Sequence, residues 1–201
     1  MKQRIIFGIM GMTGYGKTYL TRKIISQHKR YLVIDPKLDD HYDSLFPLYN
    51  LKDVANALTQ KEFQFVYRSE KFTSNMATFY EPLFRMMYLV PDVLMVVDEI
   101  PFFMSPHYIS PALQALFLRG SKTGVSILWN AQRPVHVHGD ALSQSACVIS
   151  FRQTHWNDLS RFDPQYRNRL RSLEWKKFGV VEGEWCAILP LLGKVKASPV
   201  F

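Results

Sequence analysis

Cysteine is nearly absent. The 201 residues hold two, Cys147 and Cys186, both inside apolar runs and at no metal-ligand spacing. That excludes a disulfide scaffold and fits buried thiols in a reducing compartment. No unbroken apolar run reaches the roughly 18 residues that span a bilayer. The opening MKQRIIFGIMGM is basic and then apolar, but it has no small-residue cleavage site. The expectation is therefore a soluble, cytosolic chain. No internal repeat, low-complexity tract or Pro/Gly-rich linker divides it. It reads as a single domain over 1–201, with a core at about 4–151 and a C-terminal helix and hairpin at about 152–201. Acidic residues are the scarcer charge, 17 against 25 Lys and Arg, for a net charge of +8. Such a balance favours polyanions, nucleic acid first.

Apolar runs alternate with helical patterns, which argues for a parallel sheet flanked by helices. Strands are predicted at 4–9, 31–35, 63–67, 93–98, 125–130 and 146–151. Helices are predicted near 17–28, 52–60, 76–89, 111–119 and 155–161. The runs 175–181 and 185–191, split by EGE, read as an antiparallel hairpin. The stretches 68–75 and 101–111 read as loops, the second with three prolines and several aromatics.

The first strand runs into GMTGYGKT, residues 11–18. Glycines let backbone N–H groups turn inward around an anion. The helix that follows adds free N–H groups and the positive end of its dipole. The candidate nucleotide-binding residues are Gly11, Met12, Thr13, Gly14, Tyr15, Gly16, Lys17 and Thr18. Lys17 is placed to neutralise the β- and γ-phosphates of ATP, and Thr18 to ligate Mg²⁺. A glycine turn with a chance lysine is the plain alternative, and the strand before and helix after weigh against it.

VLMVVDEI ends a wholly apolar strand on two acids, Asp98 and Glu99. Carboxylates at such a tip face the ligand edge of an open α/β sheet. Asp98 is the candidate second Mg²⁺ ligand, and Glu99 the candidate group that polarises an attacking water. The plain alternative is a turn with two solvated acids. Further on, LRGSKTGVSILWNAQRP takes a basic turn into an apolar strand ending at Asn130, Ala131 and Gln132. An amide at that tip can meet the γ-phosphate or the lytic water. Spacing alone leaves open that Gln132 simply ends the strand.

Together, GMTGYGKT, VVDE and the glycine–valine–serine strand ending in AQRP resemble the FtsK–HerA superfamily of P-loop ATPases, over about residues 4–151. The resemblance implies a RecA-like core with the AQRP strand between the two Walker strands and Gln132 as a γ-phosphate sensor. It implies a homo-oligomeric ring, a hexamer first, with ATP at subunit interfaces and an arginine from the neighbour. A head-to-tail ring suits such shared sites. Members often carry two arginines before the Gly-Val strand. Here Arg119 matches the first, and Ser121 stands in the place of the second. Arg119 is the first candidate for the trans-acting residue, followed by Arg68 and Lys122; a helix-capping role is the plain alternative for Arg119.

The chain carries neither the membrane segments nor the added barrel of larger members. Its size is similar to genome-packaging ATPases of tailless, membrane-containing viruses, which implies a double-stranded DNA translocase in a virion or host cytoplasm, with a capsid or virion-membrane partner. Candidate DNA contacts are Arg68 and Lys71, the 101–111 loop, and the basic residues Arg161, Arg167, Arg169, Arg171, Lys176 and Lys177; a solvated face is the plain reading of the last group. A small P-loop kinase and a filamentous-phage extrusion ATPase are the alternatives. HVHGD (136–140) lacks a third metal ligand, and the aromatic run 79–88 reads as core or subunit interface.

Overall fold

The computed structural model describes residues 4–69, 73, 75–184 and 198–201. In chain order the elements are β1 (Ile6–Met10), α1 (Lys17–Ile25), β2 (Arg30–Ile34), β3 (Phe46–Leu48), α2 (Leu51–Leu58), β4 (Phe63–Tyr67) and α3 (Met76–Tyr88). Then follow β5 (Leu94–Val97), β6 (Met104–Ser105), β7 (Tyr108–Ile109), α4 (Pro111–Arg119), β8 (Ser126–Ala131) and α5 (Gly139–Ser143). Last come β9 (Cys147–Phe151), α6 (Trp156–Leu159), α7 (Pro164–Ser172) and β10 (Phe178–Gly183). Eight strands form one sheet in the order β10-β9-β1-β8-β5-β2-β4-β3. Every neighbouring pair is parallel except β9–β10.

The central strands are mostly apolar because both faces are covered, and the buried exceptions in β8, Ser126 and Asn130, are hydrogen-bonded. Alternate residues divide between two layers. Ile5, Phe7, Ile9, Val33, Val96 and Leu128 pack with Leu20 and Ile24 of α1. Ile6, Met10, Ile34, Met95, Val97 and Trp129 pack with α3 and α4 on the other face. The aromatic run of α3 is core: Tyr80, Leu83, Phe84 and Met87 are buried.

Glu81 of α3 reaches back to cap α4, accepting from Ala112 N–H at 3.0 Å and from the Ser110 hydroxyl. The 101–111 stretch is more ordered than its prolines suggest. It holds a 3-10 turn, the β6–β7 hairpin and the first residue of α4. Asp163–Pro164 starts the unpredicted α7, with Asp163 accepting from Gln165 N–H at 3.0 Å.

Strand β10 supplies the first arm of the expected C-terminal hairpin and pairs antiparallel with β9. Its other edge bonds residues 200–201, with Val180 N–H to Phe201 O at 2.7 Å and Val200 N–H to Phe178 O at 2.9 Å. The run 185–191, Cys186 and Lys71 lie outside the described residues. Among the described residues no helix is long and apolar enough to cross a membrane.

Candidate active site

The strand order decides the site. Strand β8 lies between β1 and β5, so three motifs far apart in sequence emerge at adjacent C-terminal tips. This is the position the resemblance implies for the AQRP strand. Gly11 continues β1, donating its N–H to Ala131 O at 3.1 Å. Its φ of 153° falls in the region that favours glycine, and a Cβ there would sit 2.7 Å from Phe151 Cβ. Met12, Thr13 and Gly14 form the outer bend, and Tyr15 N–H closes it on Met12 O at 3.4 Å. Gly16, at φ 109°, is the N-cap of α1. The N–H groups of Gly14, Gly16, Lys17 and Thr18 make no hydrogen bond among the described residues, which leaves four backbone donors available along the loop and the first turn of α1.

Lys17 is 9% exposed and folds back onto the loop, donating to Gly11 O at 2.5 Å and Met12 O at 3.2 Å. Burial pulls its ammonium below the usual lysine range, and the nearby Glu99 carboxylate opposes that shift. Asp98 is 5% exposed, and burial pushes its carboxyl up to about 6, partly offset by Asn130. Asn130 Nδ2 donates to Asp98 Oδ1 at 2.7 Å and lies 3.0 Å from the Thr21 hydroxyl. This amide therefore ties α1, β8 and β5 together beneath the loop.

Glu99 has φ 70°, a left-handed backbone that costs a side-chain-bearing residue on the order of 1 kcal/mol. The geometry turns its carboxylate back over the sheet edge. Oε1 accepts from Gln132 N–H at 3.1 Å, and Oε2 is paired with Lys37 Nζ. Gln132 thus touches Glu99 through its backbone, while its side-chain amide makes no hydrogen bond among the described residues.

A cavity of about 460 Å³ opens on the far side of Gly16, lined by Tyr15, Tyr19, Leu20, Lys23, Phe151 and Lys176 among others. It is concave, partly aromatic and basic, and it adjoins the loop donors.

Arg119 is exposed at the end of α4 and makes no ion pair or hydrogen bond among the described residues. It lies at the opposite sheet edge: Arg4, at the start of β1, donates to Phe117 O at 2.9 Å and Val125 O at 3.0 Å. Lys122 is exposed at the same end. Arg68 is committed within its own chain, pairing Asp35 at 2.9 Å and Asp43 at 2.6 Å with its side chain only 11% exposed. His138 caps α5, its Nδ1 accepting from Asp140 N–H at 3.1 Å.

Mg²⁺ fits the donors present. The Thr18 hydroxyl makes no hydrogen bond among the described residues, and Asp98 has one oxygen engaged by Asn130. A hard cation with hydroxyl, carboxylate, phosphoryl and water oxygens suits that set. Among the described residues no cluster of three His, Cys, Asp or Glu is present.

The genome packaging NTPase B204 from Sulfolobus turreted icosahedral virus 2, in complex with sulfate, matches at TM-score 0.74 and 18% identity, over 90% of this chain and 92% of that one. Its complex with ATP-γS matches at TM-score 0.74 and 18% identity, over 90% and 94%. The fold is that of a RecA-like P-loop NTPase core. The pCW3 conjugation coupling protein TcpA, in monomer form with ATPγS, shares this core at TM-score 0.58 and 14% identity, over 90% of this chain and 58% of that one. No protein-family model and no curated protein matches the sequence.

Sequence reasoning missed Lys37, Asp35 and Thr21 in this core. Asp35 and Lys37 directly follow β2, and a charged pair at a parallel-strand tip was the available signal.

Proposed function

We propose that the protein is an ATPase that drives double-stranded DNA translocation as a homo-oligomeric ring, packaging a viral genome within a virion or host cytoplasm. The observation that carries the ATPase reading is the convergence of Lys17, Asp98, Glu99 and Gln132 on the tips of β1, β5 and β8. The free N–H groups of the loop hold the α- and β-phosphates, and Lys17 leaves its carbonyl partners for the β- and γ-phosphoryl oxygens. Asp98 and Thr18 hold Mg²⁺, which supplies charge neutralisation at the phosphates when bound. The nucleoside lies against Tyr15, Tyr19 and Phe151 in the adjoining cavity. Glu99 accepts the proton of the attacking water, and the Gln132 amide faces the γ-phosphoryl group.

Coupling to DNA is supported by the +8 charge and by the likeness to a genome packaging NTPase and a conjugation coupling protein. Phosphate release is the test. The native protein should release inorganic phosphate from ATP faster with linear double-stranded DNA. Lys17→Ala should lose nucleotide binding, and Glu99→Gln should bind ATP yet turn over about 10²–10⁴ times more slowly. Phosphate transferred to an added nucleoside would overturn the reading in favour of a kinase, and hydrolysis indifferent to DNA would remove the translocase.

A further inference from the structure

The loop after β2 is built with unusual care for an exposed turn. Asp35 is fully buried at the tip of the strand, and its carboxylate accepts from Lys37 N–H at 3.2 Å and Asp39 N–H at 2.8 Å. Arg68, at the tip of β4, donates Nε to the same carboxylate at 2.9 Å and is held by Asp43 on its other side. A buried charge of this sort is costly unless paired and hydrogen-bonded, as it is here. The clamp fixes the course of residues 35–39 beside the tip of β5, where Asp98 N–H bonds Ile34 O at 3.0 Å. The side chain so delivered is Lys37. Its ammonium pairs with Glu99 Oε2, while Gln132 N–H engages Oε1 at 3.1 Å. Lys37 keeps 31% of its side chain exposed, so its charge is able to move. Its charge also acts on Lys17 and Asp98, the two neighbours of Glu99 in the site.

Each Glu99 oxygen is thus already engaged, and a water must share Oε2 with an ammonium or displace it. Resting on the ATPase reading above, we propose that Lys37 is a second cis-acting cation of the hydrolytic centre: it pairs with Glu99 and exchanges that carboxylate for the γ-phosphoryl oxygens of a bound nucleotide, releasing Glu99 for water. In that step the water oxygen bonds to phosphorus and the bond from phosphorus to the β-phosphate oxygen breaks. ADP leaves with that electron pair, and the water proton passes to Glu99 and then to solvent. Charge on the equatorial oxygens is met by Lys37 as well as Lys17. This is the reverse of a structural ion pair, whose removal would cost stability alone.

Steady-state turnover of Lys37→Ala and Lys37→Arg, beside native protein and Glu99→Gln, tests it. Lys37→Ala should lower kcat by about 10²-fold or more with KM for Mg-ATP changed less than about threefold, since the contact matters most in the transition state. Lys37→Arg should recover at least about tenfold of that loss. ADP–aluminium fluoride should bind Lys37→Ala at least about tenfold more weakly, while AMPPCP affinity holds within about threefold. Active native protein with Lys37→Ala kcat within about threefold of it overturns this inference and leaves the ATPase reading standing. So does loss of AMPPCP and ADP–aluminium fluoride binding in equal measure. Native protein that binds no Mg-ATP overturns the ATPase reading, and this inference with it.

Discussion

Asp98 joins the chemistry of the site to the stability of the chain. In the unfolded chain its carboxyl titrates at the ordinary value of 3.8, and burial raises it to about 6 in the folded protein. Between those values the folded state holds a proton that the unfolded state has lost. Stability from this group is therefore full below 3.8, falls as pH rises through the window, and is lost above about 6. For the protein without nucleotide, Asp98→Asn should flatten that fall. At pH 7 it should add on the order of 2–3 kcal/mol, from about two units at 1.4 kcal/mol each. Urea unfolding at pH 4.5, 6 and 7 measures it, and an unchanged slope in the variant would place the titration elsewhere. The same substitution should weaken the Mg²⁺ dependence of ATP binding, so stability and function part at this residue.

At the scale of elements, β1 and β8 fit each other at one demanding point. Gly8 lies opposite Trp129, and a Cβ on it would come within 2.1 Å of the indole. Trp129 has nowhere to go: it is fully buried, with Nε1 donating to Ser145 Oγ at 3.0 Å. Gly8→Ala should cost about 1–3 kcal/mol or more through overpacking, read as a lower urea midpoint. Gly8→Ala with Trp129→Phe should recover part of it.

Legibility in the sequence followed from how strongly each element signals itself. The central strands could be read because burial on both faces makes them continuous apolar runs, such as VLMVV and VSILW. Strand β3 escaped because it is three residues at the sheet edge with Pro47 in the middle. Helix α7 escaped because only Leu170 is buried and no apolar stripe marks it, although Asp163–Pro164 was a readable start. The phosphate loop and the two acids were legible as local motifs. Lys37 was not, because its meaning depends on β2 lying beside β5, a fact of topology rather than spacing.

For the whole molecule, the distance of Arg119 from its own phosphate loop matters most. At the opposite edge of the sheet it has no access to its own Lys17, so any catalytic use of it requires the site of a second copy of the chain. Arg119→Ala and Lys17→Ala proteins should each be inactive alone and regain part of the rate when mixed. Equal inactivity in the mixture would return Arg119 to helix capping. DNA stimulation should also fall steeply between about 50 and 200 mM salt, as contacts to phosphates do. The burial of Trp129 has an optical consequence. Its indole is shielded from water one residue before Asn130, whereas Trp156 and Trp175 are 68% and 64% exposed. Iodide should quench Trp156 and Trp175 and spare Trp129, once the fourth tryptophan, Trp185, is replaced by phenylalanine. With the other tryptophans replaced by phenylalanine, the emission colour of a single chromophore would report on the strand that leads to Gln132, in real time and without a label.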